Sequence, residues 1–253
     1  MIKIFIKYIL KKLSRLIYLI HKIIDFTIPI EIKSKSKYKS ILKSKLKLKS
    51  KLENNLVDET YDHFKEHFEK SVLFEDVLKI REYAIQSSLL NDKKNEYYYL
   101  EFGVFNGKSS NFFSKFVNKL YCFDSFEGLK EDWVGTSDPK GTFNLNKKIP
   151  KLNSNIYPIV GWVEDTLDDF LKKHNPKINF VHFDMDTYSP TKFTLEKIKP
   201  YLGKNSILIF DELYHFIGWK EGEFKALKEV FKKDEFEYKA FCLSECQVAI
   251  QIK

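Results

Sequence analysis

The sequence predicts an α/β fold: five parallel strands are closed by a C-terminal antiparallel hairpin, and N-terminal helices cap the sheet. Two observations carry this prediction. Between residues 97 and 232, short apolar runs alternate with helix-like stretches, which indicates right-handed β-α-β units and a parallel sheet. The last two apolar runs, Glu237–Leu243 and Gln247–Ile252, are joined only by Ser244–Cys246, and a link this short joins antiparallel neighbours.

The predicted helices and strands follow a basic N-terminal arm, residues 1–52. Residues 53–95 have a helical pattern and predict the cap, and residues 96–253 predict the domain that contains the sheet. The predicted parallel strands are Tyr97–Val104, Lys119–Asp124, Ile156–Trp162, Ile178–Met185 and Ser206–Asp211. The predicted helices between and after them are Asn111–Asn118, Asp165–His174, Thr191–Leu202 and Glu221–Lys232. The long connection over residues 127–155 is typical of a lid or substrate loop.

The net charge of +8 is concentrated at one end of the 253-residue chain. Residues 1–52 contain 15 Lys or Arg and 2 Asp or Glu, whereas residues 53–253 contain 28 and 33. The body is therefore mildly acidic. This disfavours a specific nucleic-acid-binding surface on it, because phosphate binding needs clustered cations. The three cysteines, Cys122, Cys242 and Cys246, indicate reduced thiols and a cytoplasmic location.

Residues 1–25 predict a basic amphipathic helix, because Lys3, Lys7, Lys11 and Arg15 recur every four positions among Ile and Leu. No apolar stretch among them is long enough to span a bilayer. Such a helix either lies in an anionic membrane surface, or is solvated or packed against the domain, and both interpretations stay open. Residues 26–52 are rich in Lys and Ser and predict a flexible linker. Peripheral contact with the inner membrane face through residues 1–50 is one expectation.

The first predicted strand runs into a turn that contains Glu101, Gly103 and Gly107, before Ser109 and Ser110 open a helix. The spacing Glu-x-Gly-x-x-x-Gly lacks the middle glycine that lets pyrophosphate approach a dinucleotide site. An acid beside the turn suits a sulfonium compound such as S-adenosylmethionine (SAM). We therefore expect the glutamate and the two glycines to surround this cofactor. The two serines would lie near its carboxylate at the helix N-terminus.

The next two strands also end in polar residues. Asp124 closes the second strand, and its carboxylate suits the ribose hydroxyls of the cofactor, with Ser125 beside it. Trp162 and Asp165 follow the third strand and are expected to border the adenine.

Four carboxylates follow the fourth and fifth strands: Asp184, Asp186, Asp211 and Glu212. Carboxylates that meet at one rim of a sheet repel each other unless a cation or a shared proton balances them. A hard divalent cation, most simply Mg²⁺, meets that need. The alternative is that one or two of these acids are helix N-caps, as Asp186 could be.

Four further residues lie close to these acids. His182 alternates with apolar strand positions and is expected to be structural. His215 follows the acidic pair and could contact substrate, while Tyr214 and Trp219 either wall the pocket or belong to the core.

Six segments together resemble the macrocin O-methyltransferase-like group of SAM-dependent methyltransferases: YLEFGVFNGKSS, LYCFDSFEGL, GWVEDTLDDFL, VHFDMDTYSPTKFTLEKIKPYL, ILIFDELYHFIGWKEGEFKAL and QVAIQI. The resemblance covers about residues 97–253. It implies a Rossmann-like class I methyltransferase sheet and SAM as cofactor. It also implies methylation of a hydroxyl, with Mg²⁺ bound, on a sugar or another small-molecule or glycan acceptor.

The same resemblance implies roles for individual acids. Asp184, Asp211 and Glu212 would be metal ligands, with Asp184 also close to the cofactor, and Asp186 would be the general base. One departure is that the family's Asp-Asp pair is Asp211-Glu212 here. Two other functions stay open: a nicotinamide-dependent Rossmann oxidoreductase, and a non-catalytic membrane-docked protein that retains the fold. The oligomeric state is also open, and a homo-oligomer is one alternative.

Overall fold

The computed structural model describes residues 35–92, 94 and 96–253, and side chains from residue 42 onward. The chain divides into two units, Met1–Asn55 and Leu56–Lys253. The amphipathic helix predicted for residues 1–25 lies outside the described residues. No helix within the described ranges combines the length and the apolar content that crossing a bilayer requires.

Helix α1, Lys35–Phe68, begins inside the segment that the sequence predicts to be a flexible linker. Residues 30–92 contain neither Gly nor Pro, and both Lys and Leu favour helix. Lys49 and Glu53 form an i,i+4 ion pair with an N–O distance of 3.6 Å. Charge repulsion among the lysines therefore does not prevent helix formation from residue 35 onward, and the linker prediction is wrong for that part.

The second unit is built on eight strands. They are β1 Val72–Phe74, β2 Tyr98–Phe102, β3 Leu120–Asp124, β4 Ile156–Val160, β5 Ile178–Phe183, β6 Leu202–Phe210, β7 Phe236–Cys242 and β8 Val248–Ile252. The further helices are α2 Val77–Leu89, α3 Lys108–Phe113, α4 Val163–His174, α5 Tyr188–Ile198 and α6 Glu223–Val230, with 3₁₀ turns at Lys199–Tyr201 and Trp219–Glu221.

The strand order in the sheet is β1-β7-β8-β6-β5-β2-β3-β4. Strands β2 to β6 run parallel, and β8 is antiparallel to both β6 and β7. The predicted parallel sheet with its C-terminal hairpin is therefore confirmed. The structure adds β1, which lies within the segment predicted as the helical cap. This strand pairs in parallel with β7. Its three residues are too few for an alternating pattern to show in the sequence.

Helices cover both faces of the sheet, and each face has its own apolar core. On one face, Phe102 of β2 packs in a cluster with Phe64 of α1 and Leu195 of α5. On the other face, Tyr99 of β2 packs with Ile80 of α2 and other apolar residues. Because the central strands are buried on both faces, they read as continuous apolar runs in the sequence.

The carboxyl ends of the parallel strands are tied together at one rim. The Asp184 N–H donates to the Phe102 carbonyl (2.8 Å), and the Asp211 N–H donates to the Phe183 carbonyl (2.9 Å). Gly103 has a φ of +89°, and a Cβ there would lie 1.7 Å from the Asp184 carbonyl oxygen. Only glycine fits this position, so the turn after β2 can lie directly against the end of β5.

The three cysteines are free thiols, as the sequence predicts.

Candidate active site

A cavity of about 350 Å³ lies at this rim. It is formed by the turn after β2, the end of β3, the start of α4, the ends of β5 and β6, and the loop over residues 125–155. Eight of the predicted site residues line it: Gly103, Ser109, Asp124, Ser125, Trp162, Asp184, Asp186 and Glu212.

Five predicted site residues do not line this cavity. Gly107, with a φ of +77°, packs toward Leu152 at the start of α3, and Ser110 is fully buried in that helix. Asp165 is exposed in the first turn of α4, one residue after Glu164, which does line the cavity. The remaining two, Glu101 and Asp211, lie behind the cavity wall. Helical periodicity explains the Asp165 error, because adjacent residues on a helix point in different directions.

Asp124 holds the turn after β2 in place. One of its oxygens accepts hydrogen bonds from the N–H groups of Val104 and Phe105, each at 2.8 Å. The other accepts from the Phe126 N–H at 2.6 Å. Since a carboxylate offers about four acceptor positions, it has room for one more donor. Asp124 therefore shapes the glycine turn and still presents an acceptor to the cavity.

Three carboxylates converge on the other side of the cavity. Ligand oxygens of Asp184, Asp186 and Glu212 lie within 4.8 Å of one another. Burial, and then the charge of Asp211, raise the pKa of Asp184 and of Glu212 well above the usual range. The same causes raise the pKa of Asp186 to about 7. The buried Glu212 Oε2 has no hydrogen-bond partner among the described residues.

The backbone at Asp186 is strained. Its φ is +59°, and the Thr187 N–H donates to the Met185 carbonyl at 2.5 Å, which closes a three-residue turn around the aspartate. A non-glycine residue in this region costs on the order of 1–3 kcal/mol, and such strain clusters at functional sites. The turn places a carboxylate that is only 7% exposed in the cavity lining.

A buried charge network lies behind these acids. His182 joins Glu101 to Asp211, with its Nδ1 2.9 Å from the glutamate and its Nε2 3.2 Å from the aspartate. Arg81 Nη2 of α2 donates to the same Asp211 oxygen at 2.6 Å. Burial alone would lower the pKa of His182, but its bonds to Asp211 and Glu101 raise it to about 9. A protonated imidazole can donate from both nitrogens, which fits its place between two carboxylates.

This network corrects the prediction for Glu101 and gives Asp211 protein partners. Glu101 is fully buried, and its oxygens accept from His182 and from the Cys122 thiol (3.3 Å), so it does not reach the cofactor cavity. Asp211 Oδ1 accepts hydrogen bonds from Arg81, His182 and Gln247. Burial raises the pKa of Asp211, but His182 and Arg81 outweigh it and hold the pKa below the usual range. Ligand atoms of His182, Asp184 and Asp211 also lie within 4.8 Å of one another, so Asp211 as a metal ligand stays a prediction. The expectation that His182 is structural agrees with this geometry.

Sequence reasoning missed Arg81, which lines the cavity and lies 130 residues before its partner Asp211. A signal was present: Arg81 is the only arginine after residue 15 in a chain that otherwise uses lysine. Arginine suits a buried ion pair better than lysine does, because its guanidinium is planar and less strongly hydrated.

The loop over residues 125–155 covers one side of the cavity with Trp133 and Phe143. Phe143 contacts Phe105 with a ring-centroid distance of 5.2 Å. A Cβ on Gly135 would lie 1.6 Å from the Ile217 carbonyl oxygen, so this loop is held tightly against the segment after β6.

The aromatic residues after β6 belong to the core. Tyr214 and Trp219 are almost fully buried and pack around Phe64. His215 bonds to the Thr60 hydroxyl with a distance of 3.1 Å, and it does not line the cavity.

Residues 100–213 match the family model described as a methyltransferase domain. Over these residues the chain is similar to methyltransferase domains. No curated protein is significantly similar to it in sequence. The domain match favours methyl transfer over the nicotinamide-dependent oxidation that the glycine turn alone left open.

Solved structures show that this chain has the expected fold. It is similar to the crystal structure of CalS11, calicheamicin methyltransferase, with 23% identity and a TM-score of 0.58, over 69% of this chain and 77% of that chain. It is also similar to the O-methyltransferase NovP, with 16% identity and a TM-score of 0.50, over 70% of this chain and 79% of that chain. The Rossmann-like class I methyltransferase sheet is therefore confirmed.

Proposed function

We propose that this protein uses SAM and methylates a hydroxyl group on a sugar or another small-molecule or glycan acceptor, with a divalent cation bound. One observation carries the proposal. A single cavity holds the glycine turn with Asp124 and Trp162 on one side and Asp186 with its acidic neighbours on the other. The family resemblance adds the sugar acceptor. The fold accommodates such chemistry, since a second CalS11 structure of similar fold is named as a TDP-rhamnose 3'-O-methyltransferase.

Gly103, Ser109, Asp124 and Trp162 would hold the cofactor. Bound SAM supplies a methyl group on a positively charged sulfur atom. The missing Cβ of Gly103 gives close access to the backbone, and Asp124 offers the ribose hydroxyls a fixed acceptor. Trp162 offers the adenine an apolar surface. The carboxylates of Asp184, Asp186 and Glu212, here called the acidic wall, favour a cationic ligand.

Asp186 would receive the proton of the acceptor hydroxyl. It has a fixed backbone turn and faces the cavity, and no side chain among the described residues hydrogen-bonds to its carboxylate. Trp133 and Phe143 narrow the access of water beside it. Holding the acceptor oxygen in line and removing its proton are the two tasks left to the protein when the methyl group is already activated.

The acidic wall fits a divalent cation. Asp184 and Glu212 would be its protein ligands, because both supply oxygen donors, both line the cavity and the buried Glu212 Oε2 lacks a partner among the described residues. Bound Mg²⁺ would orient the acceptor hydroxyl and lower its pKa. Asp186 lies within reach of the same position. An experiment therefore has to decide whether Asp186 acts as the base or as a metal ligand.

The test compares wild type with Asp186→Asn in three assays: calorimetric SAM titration, Mn²⁺ binding without substrate, and transfer of labelled methyl from SAM into cell-extract fractions. We expect SAM and Mn²⁺ affinities to stay within about threefold and transfer to fall by about 10²–10⁴, the usual contribution of a general base. Asp165→Asn is the matched control, since that carboxylate is exposed and outside the cavity. A fully active Asp186→Asn variant would exclude the base role, and lost Mn²⁺ binding would make Asp186 a ligand.

A second experiment tests the need for the cation and the class of the acceptor together. EDTA should abolish labelling of the extract and added MgCl₂ should restore it, and the labelled fraction should release methylated sugars on acid hydrolysis. Full activity in EDTA would contradict metal assistance, and label confined to protein would contradict the acceptor class.

A further inference from the structure

A second cavity, of about 570 Å³, shares no lining residue with the first. It lies at the amino-terminal end of β7, whereas the candidate active site lies at the carboxyl ends of the parallel strands. The end of α1, helix α6 with the loop after it, and the first residues of β7 form its walls.

The rim of this cavity is basic. Six lysines line it: Lys70, Lys228, Lys232, Lys233, Lys239 and Lys253. The lining has a single acidic side chain, Glu237, which pairs with Lys239 at 3.1 Å. The other five lysines form no salt bridge with any carboxylate in the part of the chain that the structure describes. Repulsion among them makes the rim a favourable place for an anion.

Two histidines in the lining of this cavity have lowered pKa values. Burial, followed by the charge of Lys228, lowers the pKa of His63. Burial also lowers the pKa of His67; the charge of Glu66 opposes this shift, while Lys70 and Lys233 act in the same direction as burial. Both imidazoles line the cavity, and the lowered pKa favours the neutral form, which can donate a hydrogen bond without adding to the repulsion.

The floor of the cavity is aromatic. Phe224, Phe231 and Phe236 line it with exposures of 3%, 5% and 6%, and Tyr238 stands beside them. A lysine rim above an aromatic floor matches a ligand with one anionic end and one apolar end.

We propose that this cavity binds a phosphate ester that carries an apolar or aromatic group. The phosphate lies among the rim lysines, and the apolar group lies on the phenylalanine floor. A phosphate suits the rim better than a carboxylate, because it carries close to two charges and three acceptor oxygens that several lysines share. A lipid headgroup and a soluble phosphate ester offer the same chemistry, and the experiment separates them. The proposal is independent of methyl transfer.

The experiment uses the full chain and three probes: phenyl phosphate, inorganic phosphate, and phosphatidylcholine vesicles with or without phosphatidic acid. Lys228→Gln/Lys233→Gln removes two rim charges. Lys172→Gln/Lys173→Gln is the control, since these lysines are exposed on α4 and line neither cavity. We expect phenyl phosphate to bind more tightly than inorganic phosphate, and to lose about tenfold in affinity in the rim variant alone, which corresponds to about 1.4 kcal/mol.

The outcomes are distinct. Weaker binding of phosphatidic acid vesicles in the rim variant alone identifies a lipid source, and an effect on phenyl phosphate alone identifies a soluble one. Equal losses in both variants would show general charge attraction and overturn the proposal. So would phenyl phosphate binding no better than inorganic phosphate, or no saturable binding at all. SAM affinity should be unchanged in both variants, which separates this test from that of the proposed function.

Discussion

At the scale of single residues, the carboxylates at the rim divide into two groups. Glu101 is buried and Asp211 is partly buried, and Arg81 and His182 are their partners. Asp184, Asp186 and Glu212 face the cavity and lack such cations. The first group fixes the geometry of the strand ends, and the second is available to bind a ligand or to accept a proton. Arg81 from α2 and His182 from β5 create this division.

The ion pair of Arg81 and Asp211 gives a first prediction. Arg81→Met should destabilise the protein by about 3–5 kcal/mol, because it removes one partner of a buried pair and leaves the other. Urea unfolding measures the loss. Arg81→Met/Asp211→Asn should recover part of it, since the uncompensated charge is gone. A double variant as unstable as the sum of the two single variants would contradict this coupling.

Gly103 gives a second prediction at this scale. Gly103→Ala should abolish SAM binding or prevent folding, because its Cβ would lie 1.7 Å from the Asp184 carbonyl oxygen. Gly141→Ala is the matched control: its φ is +88°, close to the +89° of Gly103, but nothing lies within 4 Å of the added Cβ. The control should lose only about 1 kcal/mol from backbone strain in thermal unfolding. Equal losses would show that the φ angle, and not the close approach, decides.

At the scale of elements, the end of α1 is part of the core of the second unit. Phe64 is fully buried, with ring contacts to Trp219 at 5.5 Å and to Phe241 at 5.4 Å between centroids. The helix is therefore anchored at its C-terminal turns by aromatic packing.

Phe64→Ala gives the prediction for this element. It should lower the free energy of unfolding by about 3–5 kcal/mol, the usual cost of removing a buried phenylalanine. Tyr61→Ala on the same helix is the control, because Tyr61 is 58% exposed, and it should change stability by less than about 0.5 kcal/mol. Urea unfolding of both variants measures the difference, and similar values would contradict the anchoring role.

At the scale of the whole molecule, charge separates the basic N-terminal arm from the mildly acidic body. The 15 basic residues of residues 1–52 suit an anionic membrane surface, where each cation close to the lipid adds about 1 kcal/mol. The peripheral membrane role remains a proposal that rests on this charge pattern.

Removal of residues 1–50 tests this role. The shortened protein should keep SAM binding and lose at least about tenfold in affinity for anionic vesicles, because it loses most of the attraction of the arm. Sedimentation with phosphatidylglycerol vesicles at low and high salt measures the change, and neutral vesicles serve as the control. Unchanged vesicle binding would exclude the arm as the membrane contact.

The sequence by itself determined the α/β class, the parallel strands, the C-terminal hairpin and the acids at the strand ends. These features depend on the local alternation of apolar runs and on the length of the links between them, which are visible along the chain. Strand β1 was not predicted because three residues carry no periodic signal. Helix α1 begins earlier than predicted because the helix propensity of Lys and Leu outweighs the repulsion among the lysines.

Only the tertiary structure decided which way each acid faces. Glu101 lies beside His182 in the register of β2 and β5, and helix α2 brings Arg81 to Asp211 from 130 residues away. Whether a carboxylate points into a cavity or toward a cation depends on these neighbours from distant parts of the chain. Spacing along the sequence carries no such information, so the site had to be divided by geometry.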